Sequence, residues 1–505
     1  MSLHPALFAA YPVLFLWSQN LGETNPRDVV VPLVLVVAVA LATTVLLAIP
    51  FHDGRRAALI VTPLVVGLLA YGHAAALARP LHVPALLQQA GWIALVILGF
   101  VAAIRLGARA LGRVDTALDR IGLILVAIAL VVIVPYQISA AATRSGAPQQ
   151  GVVEGQASSG RPMRDVYYLI LDRYGSDRAL SLRFGYSNDL VQWLEPRGFR
   201  VLPDSHANYV RTNLSLATTL NMSHLQELLP GMPPDSQDLA PVHALLQNSR
   251  VARQFKELGY GYTHIGSYYP PTQTDEAADR NLYIGGPSDF ADVLYDTSAI
   301  PVLRRRLGLR SSGTKPDRAY ENGKFAWSAL AGLRDEPGPK FVFAHILLPH
   351  PPYVFERDGS HVDPAVAATM SEDEQFDHQI TWTNSQLRSF VDSLLALPEE
   401  RRPIIILQAD EGPYPLPYQR DIVGYDWATA SGKELEMKYG ILNAWYVPGA
   451  PDIGLYDDIT SINTFPALFS GYFGLDVPMQ PDRIYTSGGK LRPYDLTEIT
   501  DRLRP

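Results

Sequence analysis

The sequence predicts two unlike parts, an N-terminal bundle of about five membrane-spanning α-helices and a C-terminal α/β domain with a largely parallel central sheet. Three observations support this. Of the 505 residues, 48% are hydrophobic and only 18% are charged, whereas an average soluble protein carries about 25% charged residues. Long uncharged runs follow one another before residue 140. After residue 164, short apolar runs alternate with amphipathic ones, as strands alternate with helices in α/β domains.

The first part contains apolar runs that approach the ~20 residues needed to cross a bilayer. The clearest, Val29–Pro50, contains no charged residue. Gly91–Ile104 is shorter and reaches spanning length if Arg105 snorkels to the interface. Ala6–Trp17 is either a first span or an interfacial helix. Because the uncharged runs come in series, spans are favoured over buried soluble helices. The two remaining runs are Ala57–Ala78 and Ile121–Ile138.

Arginines in the connecting segments predict the orientation of these spans. Arg55 and Arg56 follow the second long run, and the connector after Gly91–Ile104 is also rich in arginine. The positive-inside rule assigns both connectors to the cytoplasmic side. Five spans then leave the amino terminus inside and everything after Ile138 outside. The arginines of the second connector are Arg105, Arg109, Arg113 and Arg120.

The predicted domains are therefore 1–140 for the transmembrane helices, 141–163 for a linker and 164–505 for an extracytoplasmic globular domain. The linker segment is small and polar, with several Gly, Ser and Gln residues, which is typical of flexible connections. The remaining ~340 residues are enough for one large domain with its own core.

Cysteine usage and charge exclude several classes of function. The chain contains no cysteine, so disulfide frameworks, thiolate metal sites and a cysteine nucleophile are excluded together. The net charge is −8 and the isoelectric point is about 5.8. Nucleic-acid binding domains are usually basic, so we expect no nucleic-acid partner.

In the globular domain, buried-strand patterns alternate with helical ones, which predicts a mainly parallel sheet. Ligand sites of such sheets lie at the carboxyl ends of the strands, so the residues that follow each strand are candidates for the chemistry. The predicted strands are Asp165–Leu171, residues 261–266, Lys340–Leu348, Pro403–Leu407 and Ile441–Val447. The predicted helices are Ser215–Leu229 with Ser215 as its cap, stretches of Pro241–Leu258, and Glu372–Leu397.

Acidic and imidazole side chains recur at these strand ends. Asp172 follows the first strand, Asp410 and Glu411 follow PIIILQA, and His350 follows KFVFAHILLP. Any one of them, taken alone, is better explained as a helix cap or a turn residue; their recurrence at successive strand ends favours a site. Three converging carboxylates would repel one another unless a cation held them. Oxygen ligands suit Mn, Mg, Zn or Ca, so the pattern predicts one divalent metal ion.

Short motifs of this domain resemble those of a known family. They are Asp172 at the end of LILD, the segment Thr212–Ser215, His350 in PHPPYVF, the segment Asp410–Gly412, and the closing stretch Ser461–Gly474. In their order and spacing they resemble the sulfatase branch of the alkaline phosphatase superfamily. The likeness extends to bacterial membrane enzymes with five spans and an outer catalytic domain, namely lipoteichoic acid synthases and phosphoethanolamine transferases.

Two departures from the family pattern bear on the chemistry. Arylsulfatases carry a Cys or Ser that is converted to formylglycine, but this chain has Thr212 there and lacks the accompanying Pro and Arg. A threonine nucleophile instead resembles the phospho-transferases. Glu411 stands where the family has His in Asp-His-Gly. A carboxylate is a harder ligand, which favours Mn, Mg or Ca over Zn, and a lost metal site is the alternative.

The resemblance implies a role for each motif residue. Thr212 would be the nucleophile, with ordinary helix capping as the alternative and Thr218 or Thr219 as substitutes. Asp172, Thr212, Asp410 and Glu411 would hold the metal. His350 would bind the phosphoryl group or protonate the leaving alcohol, unless it is structural. His345, inside its strand, is interpreted as a core residue. The residues predicted to contact substrate are Arg211, His206, Asn208, Ser215, Tyr268 and Tyr269.

These interpretations predict a membrane-anchored, metal-dependent phospho-group transferase in a bacterial-type inner membrane. The predicted partners are a membrane lipid donor, which gives up phosphoglycerol or phosphoethanolamine, and an envelope glycan or lipid acceptor. Two alternatives stay open. One is an extracytoplasmic phosphoester or sulfoester hydrolase, and the other is a catalytically inactive scaffold for polysaccharide assembly.

Overall fold

A computed structural model describes residues 2–22, 24–78, 83–146, 151–153, 157–286, 288–307, 313–450 and 452–504. The chain divides into two compact units. The first contains Met1–Thr143 and Gly286–Ser312, and the second contains Arg144–Gly285 and Gly313–Pro505. The chain therefore leaves the second unit at residue 285 and returns to it at residue 313. The sequence prediction placed residues 286–312 in the domain 164–505.

Six helices form most of the first unit. α2, α5 and α6 are each long and apolar enough to cross a membrane. The consecutive helices α3 and α4, bent by 55°, make a fourth span if they act together. α1 has 16 residues, fewer than the ~20 that a bilayer requires. The described residues thus contain three or four candidate spans where the sequence predicted about five. The helices are α1 His4–Gln19, α2 Pro26–Phe51, α3 Gly54–Leu69, α4 Tyr71–Ala78, α5 Ala85–Arg105 and α6 Ala108–Gly146.

The arginine-rich connectors of the first unit lie at one end of its helices. The Arg56 guanidinium donates to the main-chain carbonyls of Ala103, at 3.3 Å, and Leu106, at 3.1 Å. The start of α3 and the end of α5 are therefore adjacent. The predicted linker 141–163 begins as helix, because α6 continues to Gly146. Residues 147–150 and 154–156 of that linker lie outside the described residues.

A seven-stranded sheet forms the centre of the second unit, in the order β2-β7-β6-β1-β5-β3-β4. β6, β1, β5, β3 and β4 run parallel. At one edge β7 pairs antiparallel with β6, and β2 pairs antiparallel with β7. A separate hairpin joins β8 and β9. The strands are β1 Val166–Leu171, β2 Arg200–Val201, β3 Gly261–Ile265, β4 Arg280–Leu282, β5 Lys340–Ile346, β6 Ile404–Gln408, β7 Asn443–Tyr446, β8 Tyr485–Ser487 and β9 Leu496–Glu498.

Helices cover both faces of this sheet, and α13 and α14 belong to the first unit. In chain order they are α7 Asp177–Phe184, α8 Leu190–Leu194, α9 Thr212–Asn221, α10 Leu225–Leu228, α11 Ala240–Gln247, α12 Arg250–Glu257, α13 Asp289–Asp296, α14 Ile300–Arg306, α15 Lys315–Leu333, α16 Pro364–Ala367, α17 Glu372–Leu395, α18 Leu416–Arg420, α19 Gly432–Tyr439, α20 Thr464–Gly471 and α21 Thr500–Leu503. Alternate residues of each strand contribute to two separate cores. Tyr168 packs with α9, α12 and α20 on one face, and Tyr167 packs with α15 and α17 on the other. The central strands are thus buried on both faces.

The predicted strands and the long helix that follows β5 are confirmed. The prediction of one helix from Ser215 to Leu229 is wrong. α9 begins at Thr212, so Ser215 lies inside the helix and does not cap it. α9 ends at Asn221, and the next residue, Met222, adopts a left-handed conformation with φ of 53°. Such a conformation cannot continue a right-handed helix, and the chain resumes as α10. The region 241–258 likewise forms two helices, α11 and α12.

Candidate metal centre

Three side chains converge where the central strands of the sheet end. β1 lies between β6 and β5, and all three run parallel, so their carboxyl ends meet at one edge. Asp172 follows β1 directly, and Asp410 lies just beyond the end of β6. His345 is the penultimate residue of β5 and is in register with Ile170. Ligand sites of parallel sheets occur at this edge.

Asp172, His345 and Asp410 form a group that fits a bound cation. Each offers one ligand atom, and these atoms lie within 4.8 Å of one another. All three side chains are buried. Asp172 Oδ1, Asp410 Oδ2 and His345 Nε2 have no hydrogen-bond partner among the described residues. A buried polar atom without a partner costs about 1–3 kcal/mol, and a cation in the group would satisfy such atoms.

The electrostatics of this group also favour a cation. Burial raises the pKa of Asp172 well above its ordinary value, and the charge of Asp410 raises it further. Burial, followed by the charge of Glu411, raises the pKa of Asp410 to about 7. Burial lowers the pKa of His345 to about 3, so its imidazole is neutral at pH 7. Two carboxyl groups and one neutral imidazole are ordinary ligands of a divalent ion, whose charge would offset their mutual repulsion.

His345 is held in position by a residue outside the group. Its Nδ1 lies 2.7 Å from the Thr272 hydroxyl, and its Nε2 lies 3.8 Å from Asp172 Oδ2. A hydrogen bond to one ring nitrogen fixes the ring and leaves the other nitrogen for a ligand. The sequence interpretation of His345 as a core residue agrees with its burial, but it did not place His345 in the group of three. The available signal was a histidine within a strand whose seven residues are all buried.

Thr212 lies beside the group, at the first position of α9. Its hydroxyl is within hydrogen-bonding reach of Asp410 and lowers the pKa of that carboxyl. Arg211 precedes it in an extended conformation and makes no capping hydrogen bond from its side chain. The first amides of a helix have no partner within the helix and attract anions. The Thr212 hydroxyl therefore combines a carboxylate neighbour with a helix N-terminus.

Glu411 is held by two cations, and it is absent from the group of three. Its Oε1 accepts a hydrogen bond from Arg173 Nε at 3.1 Å, and its Oε2 lies 2.7 Å from Lys438 Nζ. The Lys438 side chain is fully buried and lies over the Tyr414 ring, 4.2 Å from its centroid. Burial lowers the pKa of Lys438 to about 8, against the opposing effect of Glu411. Arg173 and Lys438 thus already neutralise the acid that the sequence predicted as a ligand.

Arg173 connects the two sets of charges. Its backbone amide donates to Asp410 Oδ1 at 3.3 Å, while its guanidinium carbon lies 3.4 Å from the centroid of Tyr414. Arg173 has a φ of 61°, which is uncommon for a residue other than glycine. This conformation turns the chain sharply after Asp172, so that backbone and side chain serve different acids.

His350 does not join the group of three. Its Nδ1 contacts the carbonyl of the adjacent Pro351. Burial lowers its pKa well below the ordinary value, and the positive charge of Arg173 contributes in the same direction. A histidine that is neutral at pH 7 is suited to orienting a polar group. It does not carry a stored proton for an acid step.

The remaining predicted residues divide between structural contacts and the edge of the site. His206 Nε2 lies 3.3 Å from Glu436 Oε2, and Asn208 donates to Thr460 Oγ1 at 2.9 Å and to the Arg483 carbonyl at 2.7 Å. Both are buried and hold neighbouring loops together. The Ser215 hydroxyl is buried without a hydrogen-bond partner among the described residues.

Three further residues that the sequence predicted near the site make contacts of their own. Thr218 donates to the carbonyls of Leu214 and Ser215, which makes it a poor substitute nucleophile. Tyr269 lies edge-on to the His345 ring at 6.2 Å between centroids. Arg211 contacts the Lys490 carbonyl at 3.4 Å.

A small open cleft adjoins Arg173. Aromatic side chains line much of it, together with Glu372 and the ion-paired Arg183. Arg183 donates to Glu372 Oε2 at 2.7 Å and to the Tyr414 carbonyl at 2.8 Å. Arg173, which contacts both Asp410 and Glu411, therefore also borders the cleft.

Comparison with known proteins gives similarity to solved structures alone. No family model matches the chain, and no curated protein matches it. The C-terminal periplasmic domain of EcEptC from Escherichia coli is 15% identical, with a TM-score of 0.42, over 69% of this chain and 96% of that one. The soluble domain of lipooligosaccharide phosphoethanolamine transferase A from Neisseria meningitidis is 10% identical, with a TM-score of 0.43, over 65% and 92%. Phosphonate monoester hydrolase of Agrobacterium radiobacter is 14% identical, with a TM-score of 0.40, over 64% and 80%. These similarities are low in both sequence identity and TM-score.

Proposed function

We propose that this chain is a membrane-anchored, metal-dependent phospho-group transferase in which Thr212 is the nucleophile. The observation that carries the proposal is the position of the Thr212 hydroxyl, which begins α9 and lies within hydrogen-bonding reach of Asp410. Asp410 belongs to the buried group of three that fits a cation. A hydroxyl is a weak nucleophile at neutral pH, and this neighbourhood is one that activates it.

Asp172, His345 and Asp410 would hold the ion, whose identity we leave among Mn, Mg, Zn and Ca. A divalent ion in such a site lowers the pKa of a neighbouring hydroxyl and stabilises negative charge on phosphoryl oxygens. Glu411 is not included in this ligand set, because Arg173 and Lys438 neutralise it. Instead, the Glu411 carboxylate would hold the Arg173 and Lys438 side chains beside the group.

The chain's own residues supply orientation and positive charge. Asp410 accepts the hydrogen bond of Thr212 and so holds its hydroxyl beside the group. The amides at the start of α9, apart from that of Leu214, which donates to Asn213 Oδ1, would attract phosphoryl oxygens. Arg173 lies between the group and the open cleft, where it can contact a phosphate. His350, neutral at pH 7, would orient the bound ester.

The proposed reaction has two balanced steps. The Thr212 Oγ1–P bond forms as the P–O bond to a diacylglycerol breaks, and the hydroxyl proton passes to the diacylglycerol oxygen. An acceptor hydroxyl then attacks the phospho-threonine, the Oγ1–P bond breaks, and the acceptor's proton returns to Oγ1. A lipid donor is supported by the apolar helices of the same chain. Phosphoglycerol and phosphoethanolamine are the headgroups we propose, with an envelope glycan or lipid as acceptor outside a bacterial-type inner membrane.

The test uses full-length protein in lipid nanodiscs that contain phospholipid labelled in its headgroup phosphate. We expect label on the protein as phospho-threonine, its loss in Thr212→Ala by at least about 10³-fold in rate, and partial retention in the hydroxyl-bearing control Thr212→Ser. Label that persists in Thr212→Ala would overturn the proposal. Release of free headgroup phosphate with no transfer to any added glycan or lipid would identify a hydrolase.

A further inference from the structure

The helices α13 and α14 form a hairpin that belongs to the first unit, although the chain on both sides of it belongs to the second. We call residues 289–306 the inserted hairpin. On α13, Phe290 and Leu294 are one helical turn apart and both are buried. They pack against Val13 of α1 and Val29 of α2. The hairpin is therefore anchored on the apolar helices by its own hydrophobic face.

Backbone hydrogen bonds attach the same hairpin to the bend between α3 and α4. The Ala299 amide donates to the Leu68 carbonyl at 2.7 Å, and the Gly72 amide donates to the Thr297 carbonyl at 2.8 Å. A bend between helices frees main-chain groups, which are costly to leave unpaired in an apolar setting. A Cβ on Gly72 would lie 2.5 Å from the Thr297 carbonyl oxygen, so glycine permits this approach.

All of these contacts lie at one end of the first unit. They involve the second half of α1, the start of α2, the end of α3 and the start of α5, where Arg306 donates to Gln89 Oε1 at 2.9 Å. The opposite end holds Arg56 and the connector between α5 and α6. The inserted hairpin therefore lies at the end of the apolar helices opposite to the connectors rich in arginine.

The exposed side of α14 combines apolar and cationic side chains. Leu303 is 47% exposed and the adjoining Leu307 is 70% exposed. Arg305 and Arg306 are exposed between them, and Arg305 has no ion-pair partner among the described residues. The acids of the hairpin, Asp289, Asp292 and Asp296, lie on α13.

We propose that the inserted hairpin is a membrane-interface element that binds anionic phospholipid headgroups of the bilayer that the apolar helices enter. In this position Leu303 and Leu307 reach the acyl boundary, and the guanidinium groups of Arg305 and Arg306 reach lipid phosphates. Arginine matches phosphate oxygens with two parallel N–H groups. The interaction does not depend on the chemistry of Thr212.

The absence of native cysteine makes a single-label experiment direct. Full-length Leu303→Cys carries an environment-sensitive fluorophore in nanodiscs of phosphatidylcholine, or of phosphatidylcholine with 30% phosphatidylglycerol. We expect blue-shifted emission and quenching by nitroxide on lipid headgroups. We also expect nitroxide-labelled phosphatidylglycerol to quench more strongly than labelled phosphatidylcholine at equal mole fraction. Emission typical of water, without quenching in either bilayer, would overturn the proposal.

The charge contribution is tested by Arg305→Gln with Arg306→Gln in the same labelled chain. The preference for phosphatidylglycerol should fall by about 25-fold at low salt, since each of the two arginines near an anionic surface contributes roughly a fivefold preference. The matched control is Arg401→Gln with Arg420→Gln, which removes two exposed arginines of the second unit. Equal loss in both pairs, or no loss in the first, contradicts headgroup binding. Arg305→Lys with Arg306→Lys should keep most of the preference, which separates charge from misfolding, and Thr212→Ala should keep all of it.

Discussion

Two neighbouring regions at the same sheet edge hold buried carboxylates in opposite ways. Asp172 and Asp410 share their region with a neutral imidazole, and atoms of all three side chains lack partners among the described residues. Glu411, the next residue after Asp410, is paired on both oxygens with cationic side chains. The difference indicates that Asp172 and Asp410 could bind an ion, whereas Glu411 is neutralised by Arg173 and Lys438. Adjacency in sequence therefore does not decide which carboxylate becomes a ligand.

The largest effect should come from removing a carboxylate of the unpaired region. We expect Asp410→Asn to lose bound metal and to reduce transfer activity by about 10³-fold or more, because both the ion and the Thr212 hydroxyl lose a partner. Metal content by mass spectrometry and the labelled-headgroup assay measure the two losses. The comparison also requires that Glu411→Gln keep its metal. If Glu411→Gln and Asp410→Asn lose metal equally, Glu411 is a ligand and the distinction between the two regions is wrong.

A smaller effect should follow from unbalancing the paired region. Lys438→Met leaves the buried Glu411 with Arg173 as its one cation, and breaking a buried ion pair in this way costs about 3–5 kcal/mol. We expect a lower thermal unfolding midpoint in full-length protein, with metal still bound. Lys433→Met, which removes an exposed lysine from the same helix α19, is the matched control.

The double variant Lys438→Met with Glu411→Gln sharpens the same comparison. Removing both charges should recover part of the lost stability, because no uncompensated acid stays buried. A double variant less stable than Lys438→Met alone would show that Glu411 stabilises the fold by something other than its charge.

The sequence predicted the sheet and two of the three side chains in the group. Asp172 and Asp410 follow strands whose apolar runs are unmistakable, and parallel strands bring their carboxyl ends together. The sequence did not predict in the same way that His345, and not Glu411, is the third member of the group. This difference depends on Lys438, which arrives from α19, and on Thr272, which fixes the His345 ring. Both are long-range contacts that leave no local pattern.

Two other differences have the same physical origin. α9 begins at Thr212 and not at Ser215, because the chain enters it extended through Arg211, without a side-chain cap to mark the start. The inserted hairpin joins the first unit through Phe290 and Leu294. A short amphipathic helix carries no local sign of which unit will bury it, so residues 286–312 could not be assigned from sequence.

A third way to hold a buried acid gives the smallest expected effect. Asp275 is 3% exposed, and it is satisfied by neutral donors, with the Tyr262 hydroxyl at 2.7 Å and the Ala277 amide at 2.8 Å. Burial raises its pKa from 3.8 to about 6. Neutral donors therefore do not fully offset the effect of burial on the pKa of Asp275.

The sign of the pH effect follows from this raised pKa. Between about pH 4 and pH 6 the folded state keeps a proton on Asp275 that the unfolded state has released, so stability falls as pH rises through this window, by about 3 kcal/mol at most. Asp275→Asn cannot titrate, and the unfolding midpoint should then change less across the window, even if the variant is less stable throughout. Unfolding midpoints of the two proteins at pH 4.5 and 6.5, beside the exposed control Asp476→Asn, measure the difference. An unchanged slope in Asp275→Asn would mean that the acid is ionised in the folded state, and that hydrogen bonds from neutral donors hold a buried carboxylate as well as paired cations do.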